Sequence, residues 1–194
     1  MNFNYFIDHY KQYLNCPILE LELLSRLKEL NIVKGTYVLN PGDICKYVYY
    51  VKSGFFRVFK GDGFDEETID FAAPGHLATA IPNFLIQQSQ REGIVCEENA
   101  RVLRISHSDW LALENLSPKF INLGKLILQA YLQQVNTQKN LYRTSNASQK
   151  YQYLTQHYKG IARIVSQKNI ASYLGITAPT LSNLLKTMLK KPKG

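Results

Sequence analysis

Between Val33 and Ser106 the chain passes through six short runs rich in β-branched and aromatic residues: GTYVL, YVYYVKSG, FFRVFKG, EETIDFA, GIVCEE and RVLRIS. Turn-forming residues punctuate them, in NPGD, SG, GDG, APG and EENA. Many short strands at close spacing bury their apolar sides only by folding over one another. The pattern therefore predicts a small antiparallel roll or sandwich. Outside this block the period becomes helical. Residues 3–14 and 18–30 read as helices, and ILELELLSRLKEL places Leu19, Leu23, Leu27 and Leu30 on one face. From His107 to Tyr142 the pattern is again helical. The expected class is α+β: a β-roll with N-terminal helices (1–116), a long helix (117–144) and a helical head (145–194).

Charge is distributed unevenly along these segments. Every Asp and Glu lies at or before Glu114, so residues 1–114 carry 11 basic and 15 acidic groups, a net of −4. Residues 115–194 carry 12 basic groups and no acid, and the two parts sum to the net +8. A carboxylate in the tail would weaken attraction to a polyanion, so its absence points to phosphate as a partner. Nucleic acid ranks above an unpartnered basic surface, and an anionic membrane ranks third.

Other classes are disfavoured. No apolar run is long enough to span a bilayer. The start, MNFNYFIDHYKQYLN, lacks the basic-then-apolar layout of a signal peptide. Three scattered cysteines (Cys16, Cys45 and Cys96) fit a reducing cytoplasm better than a disulfide framework. They are too few to hold an iron–sulfur cluster. His9, His76, His107 and His157 show no spacing for haem or metal, and no cysteine has a nucleophile's context. No metal, cofactor or enzymatic activity is expected.

The long helix is apolar around most of its circumference and must be covered on two sides. Phe120, Leu123, Ile127, Ala130 and Gln134 fall at a/d-like spacing, and a second stripe carries Ile121, Leu128, Leu132 and Val135. One expected cover is the β-domain. The other is the same helix of a second copy, with the first set assigned to the seam of a homodimer.

Near the end, VSQKNIASYLGITAPTLSNLLKTMLKK reads as helix, glycine turn, helix. Ser166 suits the cap of the first helix, and Ile170 and Leu174 its inner face. Gly175 supplies the turn, and Thr177 caps a second helix whose first turn tolerates Pro179. With Leu181, Leu184, Leu185 and Met188 buried, Pro179, Asn183, Lys186 and Lys190 face outward, flanked by Thr180, Ser182 and Thr187. That is the face a major groove would meet.

Taken together, these parts resemble the Crp/Fnr family of bacterial transcription regulators over nearly the whole chain. PGDICKYVYYVKSGFFRVF is similar to its β-roll signature, FAAPGHLATA to its phosphate-binding cassette and ARVLRISHSDWLAL to the strand and helix that close the roll. The 117–143 helix resembles its dimer helix, SNASQKYQYL the start of its C-terminal domain, and SQKNIASYLGITAPTLSNLLK its helix-turn-helix in the form of Bacteroidetes-type members. The resemblance implies a winged-helix-like head, here with a short or absent wing. It implies double-stranded DNA, a second copy of the chain and RNA polymerase as partners. It also implies an effector pocket at Gly75, His76, Leu77, Gln90, Arg91 and Asn136.

The chain departs from that pattern at two places. Members that bind cyclic AMP use Gly-Glu for the ribose and Arg-Ser/Thr for the phosphate, whereas His76 follows Gly75 here and Gln90–Arg91 stands at the second pair. Cyclic AMP is therefore not expected to bind, and the effector is not identified. On the second helix, Pro179 and Asn183 replace the family's Glu and Arg. The expected phosphate contacts are Gln167, Lys168, Thr177, Lys186 and the terminal lysines including Lys190. The expected base contacts are Thr180, Ser182 and Asn183. The alternative is a ligand- or protein-binding roll whose head has lost sequence-specific DNA binding.

Overall fold

The structure, a computed structural model, describes residues 13–190. The helix expected at 3–14 lies outside them except for its last two residues, as do Lys191 and Lys193. The side chain of Lys190 is also outside the description.

Two long strands organise the roll: β3 (Tyr47–Lys60) and β6 (Glu92–Ser106) pair antiparallel from Tyr47↔Ser106 to Lys60↔Glu92. Short strands flank this ribbon. β1 (Lys28–Ile32) and β2 (Tyr37–Leu39) pair with β6; β4 (Glu67–Ala72) and β5 (Leu77–Ala78) pair with β3. The six expected runs thus include two pairs that are continuous strands. SG and EENA are not turns but bulges, with register shifts from Val51 to Phe56. Gly54 sits there at φ +88, and a Cβ on it would lie 2.5 Å from the Ala100 Cα. Only glycine permits that approach. The bulges fold the ribbon over itself, so Tyr49, Val51, Ala78 and Val102 from one half pack with Phe56, Val58, Ala72 and Ile94 from the other in a single core.

The helices differ from expectation at their ends. α1 (Pro17–Arg26) stops before Leu30, because Lys28–Ile32 pairs with Ala100–Arg104 of β6. Leu23 stays on the helix's buried face, while Leu30 packs on the roll core. A short helix, α2 (Ile81–Ile86), lies between β5 and β6. The single run expected from His107 is broken into α3 (His107–Leu116) and α4 (Pro118–Thr144). Ser117 is extended, as the residue before a proline prefers, and Pro118 starts the next helix where its missing N–H costs nothing.

α4 corrects the expected dimer seam. Phe120 and Leu123 are 0% and 1% exposed, buried with Leu14, Leu23, Ile105 and Leu113 of the same chain, and Ile127 packs on that cluster. The set assigned to the seam is thus largely intrachain core; Ala130 is exposed and Gln134 half-buried. The stripe left outward is the other one, with Ile121, Leu132 and Val135 exposed and Leu128 half-buried. Heptad spacing identifies both stripes equally well and does not say which one the roll takes. Among the described residues no helix is long and apolar enough to cross a membrane.

Candidate nucleic-acid interface

The head begins with α5 (Ala147–His157), closed at its start by a reciprocal capping box between Asn146 and Gln149. A single turn, α6 (Ile161–Ile164), leads to α7 (Gln167–Leu174) and α8 (Ala178–Lys190). The Ser166 hydroxyl accepts from the Asn169 N–H at 3.2 Å. Gly175, at φ 65, ends α7 while the Gly175 and Ile176 N–H groups return to Ser172 and Ala171 carbonyls. This pair of bonds is the Schellman arrangement and turns the chain sharply. Thr177 then accepts from the Thr180 N–H at 3.3 Å. These caps are the ones read from the sequence.

Burial divides α8 as its pattern requires. Leu181 is 0% exposed, Leu184 and Leu185 pack partly buried on the head's core, and Met188 is half-buried. Pro179, Thr180, Asn183, Lys186 and Thr187 are exposed, as are Gln167, Lys168 and Thr177 at the preceding turn. Ser182 is half-buried and stands at the margin of this face. The Thr177 and Thr180 hydroxyls bond each other at 2.8 Å, and the Thr187 hydroxyl donates to the Asn183 carbonyl. Asn183 therefore offers the one amide on the outer face of α8, with Lys186 one turn nearer to the helix's end.

The head is not tethered by α4 alone. Phe55 and Phe71 of the roll share a core with Leu154, Tyr158, Val165, Ile170, Tyr173 and Leu181 of the head. The Phe71 ring lies 4.8 Å from that of Tyr173. Polar bonds cross the same seam. The Thr68 N–H donates to the Ser172 hydroxyl at 2.9 Å, and the Tyr158 hydroxyl to the Phe71 carbonyl at 3.1 Å. From α4, the Gln138 amide donates to the Tyr173 hydroxyl at 3.0 Å and reaches the Asp70 carboxylate at 3.5 Å. Burial pushes the Asp70 carboxyl up to about 6, against bonds from the Phe71 N–H, Gln138 and Tyr158 that favour its ionised form. Ile170 and Leu181 are the inner-face residues read from the sequence; the other seam residues named here are not singled out by it. The one available signal was Asp70, a carboxylate between apolar neighbours in TIDFA.

The residues expected in the effector pocket attach at different points of the roll and of α4. Gly75 and His76 form a turn bonded to Val51, in the middle of β3. The His76 ring lies 5.9 Å from Tyr158, and burial holds its imidazole below the ordinary value. Leu77 continues into β5 opposite Tyr50. Arg91 attaches just past the end of β3: its carbonyl accepts from the Gly61 N–H, and its guanidinium pairs with Asp62 at 3.0 Å while 62% exposed. Gln90, bonded through its carbonyl to the Gly42 N–H, and Asn136 on α4 are exposed. The buried arginine is instead Arg57, held by Glu66 at 2.6 Å and Glu97 at 2.7 Å with Phe59 beneath it. Glu66 and Glu97 neutralise its charge, and Thr68 accepts from it as well, so it is not a free cation for a phosphate.

Comparison with known proteins bears on this architecture. The cyclic nucleotide-binding domain family matches residues 29–115, less than half of the chain. No curated protein sequence matches it. Among solved structures, FixK2 from Bradyrhizobium japonicum is similar with a TM-score of 0.70 and 17% identity, covering 84% of both chains. A protein from Eubacterium rectale assigned to the Crp/Fnr family of transcriptional regulators also has a TM-score of 0.70 at 17% identity, covering 93% of this chain and 88% of that one. The Thermus thermophilus catabolite activator protein has a TM-score of 0.54 at 22% identity, covering 90% and 84%. The expected α+β fold is thus the observed one: residues 29–115 form a roll of the cyclic nucleotide-binding type, and the chain as a whole has the fold of these regulators, with a long helix and a helical head after the roll.

Proposed function

We propose that the protein is a cytoplasmic, homodimeric, DNA-binding transcription regulator of the Crp/Fnr type, with a head of the Bacteroidetes-type form, and not an enzyme. The carrying observation is the division of α8: Leu181 is fully buried while Thr180, Asn183 and Lys186 are exposed on a capped helix-turn-helix. Behind that face lies a stretch of 80 residues without a carboxylate. In this reading α8 enters the major groove, Asn183 meets a base edge, and Gln167, Lys168, Thr177 and Lys186 meet phosphates. Two copies join along Ile121, Leu128, Leu132 and Val135, which places two heads on one duplex, and RNA polymerase is the downstream partner. The histidine at position 76, where the resemblance calls for a glutamate, and the pairing of Arg91 with Asp62 support the absence of cyclic AMP binding.

A second reading has one observation in its favour. Pro179 offers no donor, and Thr177 and Thr180 spend hydroxyls on each other. On that account the head binds DNA through charge alone. Both readings require salt-dependent binding, which fluorescence anisotropy with a labelled duplex measures. Affinity should fall steeply between about 50 and 200 mM salt, as expected when several phosphates are neutralised. Affinity for duplex no stronger than for an uncharged polymer would remove both.

A further inference from the structure

Among the described residues, the roll and its helices do not close completely. Tyr50, Leu103 and Ile105 belong to the sheet face opposite the core residues Tyr49 and Val102. Over that face α1, α2, α3 and α4 leave a cavity of about 100 Å³. Phe84 and Leu85 of α2, Trp110 of α3 and Ile127 of α4 complete its walls. None of its lining residues is charged. Two of its polar groups are directed elsewhere: the Trp110 indole N–H donates to Glu114 at 2.7 Å, and the Thr79 hydroxyl to the Tyr47 carbonyl at 3.5 Å. Leu85 lines the cavity yet is 53% exposed, which marks an opening between α2 and α4.

This chemistry excludes a nucleotide. A phosphate placed here would lose its hydration with no cation to replace it. It favours a small uncharged molecule, since apolar cavities stay dry and one of about 150 Å³ takes benzene. Gly124 supports the same shape. A Cβ there would come within 3.2 Å of the Trp110 ring, so the helix keeps a residue costing about 1 kcal/mol relative to alanine and the indole packs close against it.

We propose that this cavity is an effector site for a small, uncharged, apolar molecule about the size of one aromatic ring. Four of its residues, Leu123, Gly124, Ile127 and Leu128, lie on α4. The same helix carries Leu128 in its outward stripe and Gln138 against Tyr173 of the helix-turn-helix. A molecule that wedges α4 from the roll therefore acts on both. Binding stands on the cavity alone; its effect on DNA rests on the regulator reading above.

The chain's single tryptophan is Trp110, so its fluorescence reports on the cavity directly. Iodobenzene, an apolar heavy-atom probe, is titrated into the full chain, with iodide as the charged control. Saturable quenching is expected with iodobenzene and only weak, linear quenching with iodide. Leu77→Phe and Ile127→Phe fill the cavity from two different elements. Each should weaken iodobenzene binding by at least about tenfold, the equivalent of about 1.4 kcal/mol, with thermal melts identifying the folded variants. Non-saturable quenching, or equal affinity in the folded filled variants, overturns the site. Duplex affinity is then measured with and without iodobenzene. Saturable quenching with unchanged duplex affinity overturns the effector role alone. Failure to bind duplex under either condition overturns the regulator reading, and the quenching result still decides the cavity.

Discussion

The hydroxyl of Tyr158, just after the first helix of the head, donates to the backbone carbonyl of Phe71, on strand β4 of the roll, at 3.1 Å. Both residues are almost fully buried, at 2% and 1% exposure. The bond therefore joins two units across a dry seam, and the head's position on the roll depends on it. Tyr158→Phe keeps the ring and deletes the donor, leaving the Phe71 carbonyl without it. A loss of about 1–3 kcal/mol is expected, read as a lower urea midpoint together with faster proteolysis between residues 144 and 147. An unchanged midpoint would mean that this bond contributes nothing to stability.

Asp70 makes the same seam respond to pH. Its folded value is about 6 against an ordinary 3.8, so between these values the folded protein holds a proton that the unfolded chain has lost. Stability should then fall as pH rises from about 4 to about 6 and level off above. The groups facing Asp70 are Tyr158 and Tyr131, with Glu92 beyond Tyr131. His76 works in the opposite sense: burial lowers its value, so its contribution improves as pH rises toward 6.5. Asp70→Asn separates the two. Denaturation midpoints between pH 4.5 and 8 should lose the falling component, and stability at pH 7.5 should rise. A variant whose profile matches the unaltered protein's would exclude Asp70 as its source.

The two stripes of α4 make distinct predictions. Leu132 is 51% exposed, so Leu132→Glu should dissociate a dimer without unfolding the chain. Leu123 is 1% exposed, so Leu123→Ala should cost about 2–5 kcal/mol of stability. Sedimentation and thermal melts check both. A dimer that survives Leu132→Glu would place the seam elsewhere.

These outcomes bear on what was legible in the sequence. Turn residues and alternation located the roll, and helix caps located Ser166, Gly175 and Thr177, because such signals are local. SG and EENA misled for a physical reason: glycine permits a bulge as readily as a turn, and only pairing with the partner strand decides between them. Leu30 was drawn from a helical face into β1 by the edge of β6. A motif places Gly75–His76 and Gln90–Arg91 in one loop but does not show that the first pair bonds to Val51 within β3 and Arg91 to Gly61 after it. The link of Asp70 to Tyr173 through Gln138 is not legible because the two lie about a hundred positions apart, and Asp70 between apolar neighbours is the one local signal of burial there.

On α8, Asn183 and Lys186 should fail differently. Asn183→Ala should flatten discrimination among duplexes by about 1–3 kcal/mol at one base pair with the salt slope nearly unchanged. Lys186→Ala should weaken all duplexes alike and reduce the salt slope by about one unit. Identical effects of the two substitutions on specificity would contradict their assigned roles.

Selection of duplexes from a random pool by the unaltered protein tests sequence-specific recognition most directly. Bound duplexes should converge on a motif of two related half-sites about one helical turn apart, roughly 10 base pairs. Asn183 should pair best with adenine, so each half-site should contain A·T pairs. Recovery of bound duplexes without any enriched motif would contradict the account.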